Sequence, residues 1–135
     1  MPSASSTSHR RGGSLRQRGQ ATVELALSIG LLIFILLAAI DFGRAFFAYV
    51  GLVNAAREGA RAGVMALDPA AIEPAVRQEI AGNNLDPARL AVLYSWGGSN
   101  RPLVVTTLYQ FNLVTTGFLP VSTINMRASA TMAIP

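Results

Sequence analysis

LALSIGLLIFILLAAI, residues Leu25–Ile40, is sixteen residues without a charge, bounded by Glu24 and Asp41. As a helix rising 1.5 Å per residue it spans about 24 Å, short of the roughly 30 Å hydrocarbon core of a bilayer. Adding Ala21–Val23 and Phe42 brings it to about 33 Å, which crosses but draws Glu24 inside one edge. Arg10, Arg11, Arg16 and Arg18 precede the run with no acid among them, which fixes that side in the cytoplasm and exports the C-terminal part. A cleaved secretory signal is the rival reading. Against it, the run exceeds a typical signal core, and no well-placed A-x-A site follows before Asp41 and Arg44.

Working outward, residues 1–19 are rich in Ser, Gly and Arg and read as a disordered, basic cytoplasmic leader. Residues 20–42 read as a single-pass transmembrane helix, 43–66 as its exported continuation, and 67–135 as a small exported α+β domain. Beyond Asp41 no helix breaker intervenes, and Phe42, Phe46, Tyr49 or Val50, and Val53 recur at helical spacing. Asp41–Arg44 and Glu58–Arg61 are placed to pair at i,i+3. Gly51, Ala55, Gly59 and Gly63 fall every four residues, a small-residue stripe that admits close approach of another backbone. Three helical glycines each cost about 1 kcal/mol relative to alanine, so the stripe needs a packing partner. Spacing alone leaves open whether that partner is the chain's own sheet or another helix.

Asp68-Pro69 ends the long helix and caps a second, short one, with a regular part expected from about Glu73 to Gly82 because Pro74 sits badly inside a helix. Asn83–Asp86 reads as a loop and Asp86-Pro87 as a further turn start. Three β-like stretches follow: Leu90–Trp96, closed by Gly97-Gly98-Ser99-Asn100; Pro102–Leu113, with Val105, Thr107, Tyr109, Phe111 and Leu113 on one face; and Thr123–Met132. In the last, Ile124, Met126, Ala128, Ala130 and Met132 alternate with polar residues, the pattern of a half-buried antiparallel strand. The expected fold is therefore α+β: a long N-terminal helix, membrane-spanning in its first half, packed on a roughly three-stranded antiparallel sheet with one short extra helix.

The chain has 135 residues, is 51% hydrophobic and only 13% charged, and carries eleven basic residues against seven acids. From Gln20 onward seven arginines cancel seven acids, so the net +4 belongs to the leader. Four arginines without interleaved aromatics beside a membrane run fit topology and anionic lipid better than nucleic acid. With no cysteine and only His9, thiol nucleophiles, His-based triads and zinc sites are effectively excluded. No phosphate-binding glycine loop is present and the carboxylates are scattered, so no catalytic residue, cofactor or metal is expected.

One constellation remains: a basic leader, Gly19, four residues (Gln20–Val23), Glu24, then the uncharged run. Taken alone, Glu24 has a plain account as an acid near a helix N-terminus at the interface. The combination resembles the type IV prepilin class, in which a membrane peptidase cuts after the glycine. The resemblance implies a scissile bond between Gly19 and Gln20, and an assembly role for Glu24, whose charge would neutralise a neighbour's new α-amine. Asp41-Phe42-Gly43-Arg44-Ala45, Asn54-Ala55-Ala56-Arg57-Glu58-Gly59-Ala60-Arg61 and the closing strand Ile124–Met132 together resemble the TadE-like pseudopilins of the tight-adherence (Flp pilus) system, over about residues 18–133. Leu25 stands where Flp-type pilins usually carry an aromatic, and Gln20 where other type IV pilins carry Phe or Met.

That family resemblance implies a non-catalytic inner-membrane component of pilus assembly. Its partners would be the lipid bilayer, a prepilin peptidase, other pilin-like subunits and the tight-adherence secretion machinery. The alternative from another class is a membrane-anchored exported binding module, presenting Tyr94, Trp96 and Tyr109, that never enters a pilus.

Overall fold

The computed structural model describes residues 13–97, 101–117 and 121–134. It divides into two compact units, Met1–Leu36 and Leu37–Pro135. Helix α1, Gly13–Ala66, contributes to both. In the first unit every described side chain from Gly19 to Leu36 is exposed. Within α1 the stretch is long and apolar enough to cross a membrane, and nothing in its apolar window is buried.

The helix starts earlier than the sequence reading placed it. Residues 13–19, expected as part of an irregular tail, are helical. Once a long helix exists, extending it fixes one residue per added hydrogen bond, and Leu15, Arg16, Gln17 and Arg18 all tolerate helix well. Residues 1–12, including Arg10 and Arg11, lie outside the described residues, as do 98–100 of the expected turn.

In the second unit α1 ends at Ala66 with Leu67 in the left-handed region at φ 48°. Asp68 N–H donates to Gly63 and Leu67 N–H to Val64, which satisfies carbonyls that have no partner further along the helix. Asp68 then caps a 3-10 turn, Pro69–Ala71, by accepting from Ala70 N–H at 2.9 Å. Helix α2, Ile72–Gly82, follows directly. Pro74 lies inside its first turn, where backbone N–H groups lack intrahelical acceptors, so the helix begins one residue before the expected Glu73. It closes as α1 does, with Asn84 at φ 56° and Leu85 N–H bonded to Ile80.

Strands β1 (Leu90–Ser95), β2 (Leu103–Asn112) and β3 (Thr123–Met132) form an antiparallel sheet in the order β1-β2-β3. Leu90 pairs with Tyr109 and Phe111 with Ile124. The inward face of β2 is Leu103, Val105, Thr107, Tyr109 and Phe111, all buried. Leu103, Val105, Tyr109 and Phe111 join Ala48, Leu52, Ala55 and Ala60 of α1, Ile72, Val76 and Ile80 of α2, and Leu90 and Ala128 of the sheet in one core. The Thr107 hydroxyl donates to Leu52 C=O at 3.2 Å, so β2 is tied to a carbonyl of α1 as well as packed on the helix.

Candidate functional site

The four small residues expected to mediate helix packing all lie in the second unit and are buried there. Their helical partner within this chain is α2. A Cβ added at Gly59 would overlap Val76 Cγ2, and one at Gly63 would lie 2.7 Å from Ile72 Cγ1 and 3.1 Å from Leu103 Cδ2. Glycine is therefore required at both positions by close approach. At Gly51 the neighbours are Leu85 and Asn83, in ordinary or slightly tight contact, and Ala55 is fully buried. Gly63 also reaches the sheet through Leu103, so the open choice between sheet and helix resolves to α2 with a contribution from β2.

The helical face read from Phe42, Phe46, Tyr49 or Val50 and Val53 turns mostly outward. Phe42, Phe46, Phe47, Tyr49 and Val50 are exposed, whereas Val53 packs against the core. Phe46 and Phe47 meet edge to face with ring centroids 6.1 Å apart.

Asp41 closes the uncharged run and is the most heavily bonded charge in the second unit. Its side chain is 5% exposed. One carboxylate oxygen accepts from Val114 N–H at 2.8 Å, and the other from Thr115 N–H and the Thr115 hydroxyl, both at 2.8 Å. Arg44 adds a bond at 3.2 Å, with its guanidinium carbon 5.1 Å from the Phe111 ring centroid. A buried carboxylate needs such donors, because desolvation would otherwise cost several kcal/mol. Asp41 thereby fastens the 3-10 turn Val114–Gly117, between β2 and β3, onto α1. Sequence reasoning found the Asp41–Arg44 pair but missed this role. The available signal was an acid placed at the end of an apolar run. The matching amides lie more than seventy residues away.

Other charges sit at the surface. Arg61 donates to both oxygens of Glu58, and those bonds hold the Glu58 carboxyl below its ordinary range and raise Arg61. Glu73 and Arg77 pair at 2.8 Å as their spacing implies. Among the described residues, no group of three or more His, Cys, Asp or Glu side chains could hold a metal ion.

Of the three aromatic residues read as surface binders, Tyr94 is exposed and Trp96 is half-buried against the core. Tyr109 is 6% exposed, which corrects its placement at the surface. Alternation along β2 turns it inward, and its hydroxyl accepts from Asp86 N–H at 3.2 Å.

In the first unit, Gly19, Gln20 and Glu24 are exposed and helical. A Cβ at Gly19 would meet nothing within 4 Å. The Glu24 backbone carbonyl accepts from the Ser28 hydroxyl at 2.8 Å.

Residues 19–61 match the family model described as TadE-like protein. Over that segment the chain is similar to the TadE-like family. The TadE-like match opens at Gly19 and includes Glu24, the Asp41–Arg44 stretch and three residues of the stripe, Gly51, Ala55 and Gly59. Gly63, α2 and the sheet lie outside it, so the wider resemblance over about 18–133 is matched in its N-terminal part. No curated protein and no solved structure matches the chain. A TadE-like segment built around an exposed apolar helix fits a membrane-anchored protein associated with the tight-adherence pilus.

Proposed function

We propose that this chain is a non-catalytic, minor pilin-like subunit for assembly of a tight-adherence (Flp-type) pilus. Residues 20–42 cross the inner membrane once, with the N-terminal leader in the cytoplasm and 43–135 exported. A prepilin peptidase cuts between Gly19 and Gln20, and Glu24 sets helix register against neighbouring pilin-like subunits. The observation that carries the reading is the order Gly19, Glu24, uncharged run, within a TadE-like match that opens at Gly19.

Two physical points support it. Gly19 and Gln20 are exposed in α1, and a glycine at the scissile position lowers the cost of unwinding the helix for a peptidase, since it is a poor helix former. Cutting there removes the leader arginines and leaves side-chain charges that sum to zero, with a new α-amine four residues before Glu24. In an apolar environment the amine of one subunit and the carboxylate of another are each costly alone and compatible as a pair.

The test is N-terminal sequencing of the chain co-expressed with its cognate prepilin peptidase. The sequence should begin at Gln20. Intact Met1 as the sole product would overturn the processing step. Glu24→Ala should lose incorporation while residues 68–135 stay folded, because the substitution lies in the other compact unit.

A further inference from the structure

The uncharged run is too short for the membrane it is read to cross. Sixteen residues give about 24 Å against roughly 30 Å of hydrocarbon, a deficit of about four helical residues. Extending toward the N-terminus takes in Glu24, whose carboxylate has no donor among the described residues. Extending toward the C-terminus takes in Asp41, Phe42, Gly43 and Arg44. There the one acid is paired with Arg44 and accepts from two backbone amides and a hydroxyl. An acid with every lone pair engaged tolerates that depth far better than a bare one.

This choice of end has a consequence for the sheet. Val114 and Thr115 bond Asp41 directly, so whatever depth Asp41 takes, the turn between β2 and β3 takes too. That part of the chain is suited to it. No charged residue separates Arg101 from Arg127, and Val114, Val121 and Ile124 are exposed at 53%, 51% and 40%. On α1, Phe42, Phe46 and Phe47 are exposed in continuity with the apolar run. Exposed Phe rings beside an arginine that can snorkel suit the apolar side of a membrane–water interface, and Arg44 borders this surface with half its side chain exposed.

We propose that Phe42, Phe46 and Phe47 of α1, with Val114 and Val121 beside the Asp41 clamp, form a lipid-facing collar. It seats the exported domain in the outer interface of the bilayer, with the Asp41–Thr115 clamp just inside the hydrocarbon boundary. The proposal rests on the membrane-spanning reading of α1 and, for the subunit while it resides in the membrane, shifts the span from 20–42 toward about 25–44.

The chain has no cysteine, so single cysteines place nitroxide labels without background. The full chain is reconstituted into phosphatidylcholine–phosphatidylglycerol vesicles with a label at position 114, 121 or 47. Labels at 93, exposed on β1, and at 34, within the apolar run, serve as references. Accessibility to oxygen relative to a water-soluble nickel chelate reports depth. Labels at 114, 121 and 47 should show a several-fold higher oxygen-to-nickel ratio than the label at 93, and a lower one than at 34. Equal ratios at 114, 121 and 93, with 34 buried in lipid, would overturn the collar and leave the span intact. A label at 34 as open to nickel as that at 93 would overturn the span and the collar with it. Labels at 114 and 121 shielded from both reagents would mean that protein, such as a second copy, covers the surface, which also overturns it. Val114 adjoins the clamp, so Val121 and Phe47 provide readouts that do not depend on an intact 114 site.

Discussion

Over residues 41–66, α1 has two apolar faces that differ in size. One is Ala48, Gly51, Leu52, Ala55, Ala56, Gly59, Ala60 and Gly63, and it is buried against α2 and the sheet. The other is Phe42, Phe46, Phe47, Tyr49 and Val50, and it is exposed. Ordinary amphipathic helices bury their large apolar residues and expose polar ones. Here the face that, Leu52 apart, is glycine and alanine serves the chain's own fold, because small residues let α2 approach, and the large face is left for an apolar environment outside the chain. Hydrophobic periodicity therefore locates the helix, while side-chain size decides which face points home.

The comparison breaks most sharply on the small face. Gly59→Leu places side-chain atoms where Val76 already is, and the domain should lose about 3 kcal/mol or fail to fold, measured as the urea midpoint in detergent. Gly43→Ala, at a position where an added Cβ meets nothing within 4 Å, should instead gain about 0.5–1 kcal/mol from helix propensity alone. If both glycines respond alike, the close approach of α2 is wrong.

Removing the clamp comes next. Asp41→Ala strands two amides and a hydroxyl and should cost about 2–3 kcal/mol, with amide hydrogen exchange at Val114 and Thr115 accelerating more than in β1. Uniform acceleration through the domain would argue against a local fastening. A smaller effect of opposite sign is expected at Leu67, which holds φ 48° without being glycine. Leu67→Gly should stabilise by about 0.5–1 kcal/mol in the same urea titration, the relief of left-handed strain exceeding the entropy of the glycine.

The smallest effect belongs to the Glu58–Arg61 pair. Its bonds depress the Glu58 pKa in the folded chain below its ordinary 4.5, so its contribution is present above that value and is lost as pH falls through the lower folded value. Urea midpoints of the native chain and Glu58→Gln should differ slightly at neutral pH and converge on acidification. A gap that widens toward low pH would reverse the sign of the assignment.

Much of the fold was legible. Leu25–Ile40 announced the apolar helix, the absence of a breaker carried it to Ala66, and strict alternation from Thr123 to Met132 defined β3. Asp68-Pro69 and Asp86-Pro87 marked the two capped turns because their chemistry is local. What stayed hidden depends on contacts distant in sequence. Nothing near Asp41 shows that the amides of Val114 and Thr115 will need its carboxylate. The spacing of Gly51–Gly63 showed that something must come close, and only the packing of Ile72 and Val76 shows what. Tyr109 was misplaced because an aromatic with a polar tip serves a surface or a core equally, and the Asp86 amide decides between them. Of the processing and assembly residues, the sequence supplied the spacing of Gly19, Gln20 and Glu24, and the family match opens at the first of them.

The two faces are compared most directly by equilibrium urea unfolding in detergent, followed by the fluorescence of Trp96, the only tryptophan, on Ala55→Phe and Phe46→Ala. Ala55 is fully buried and Phe46 is 56% exposed. The account predicts a large loss of midpoint for Ala55→Phe and a change within about 0.5 kcal/mol for Phe46→Ala. A loss at Phe46→Ala equal to that at Ala55→Phe would contradict it.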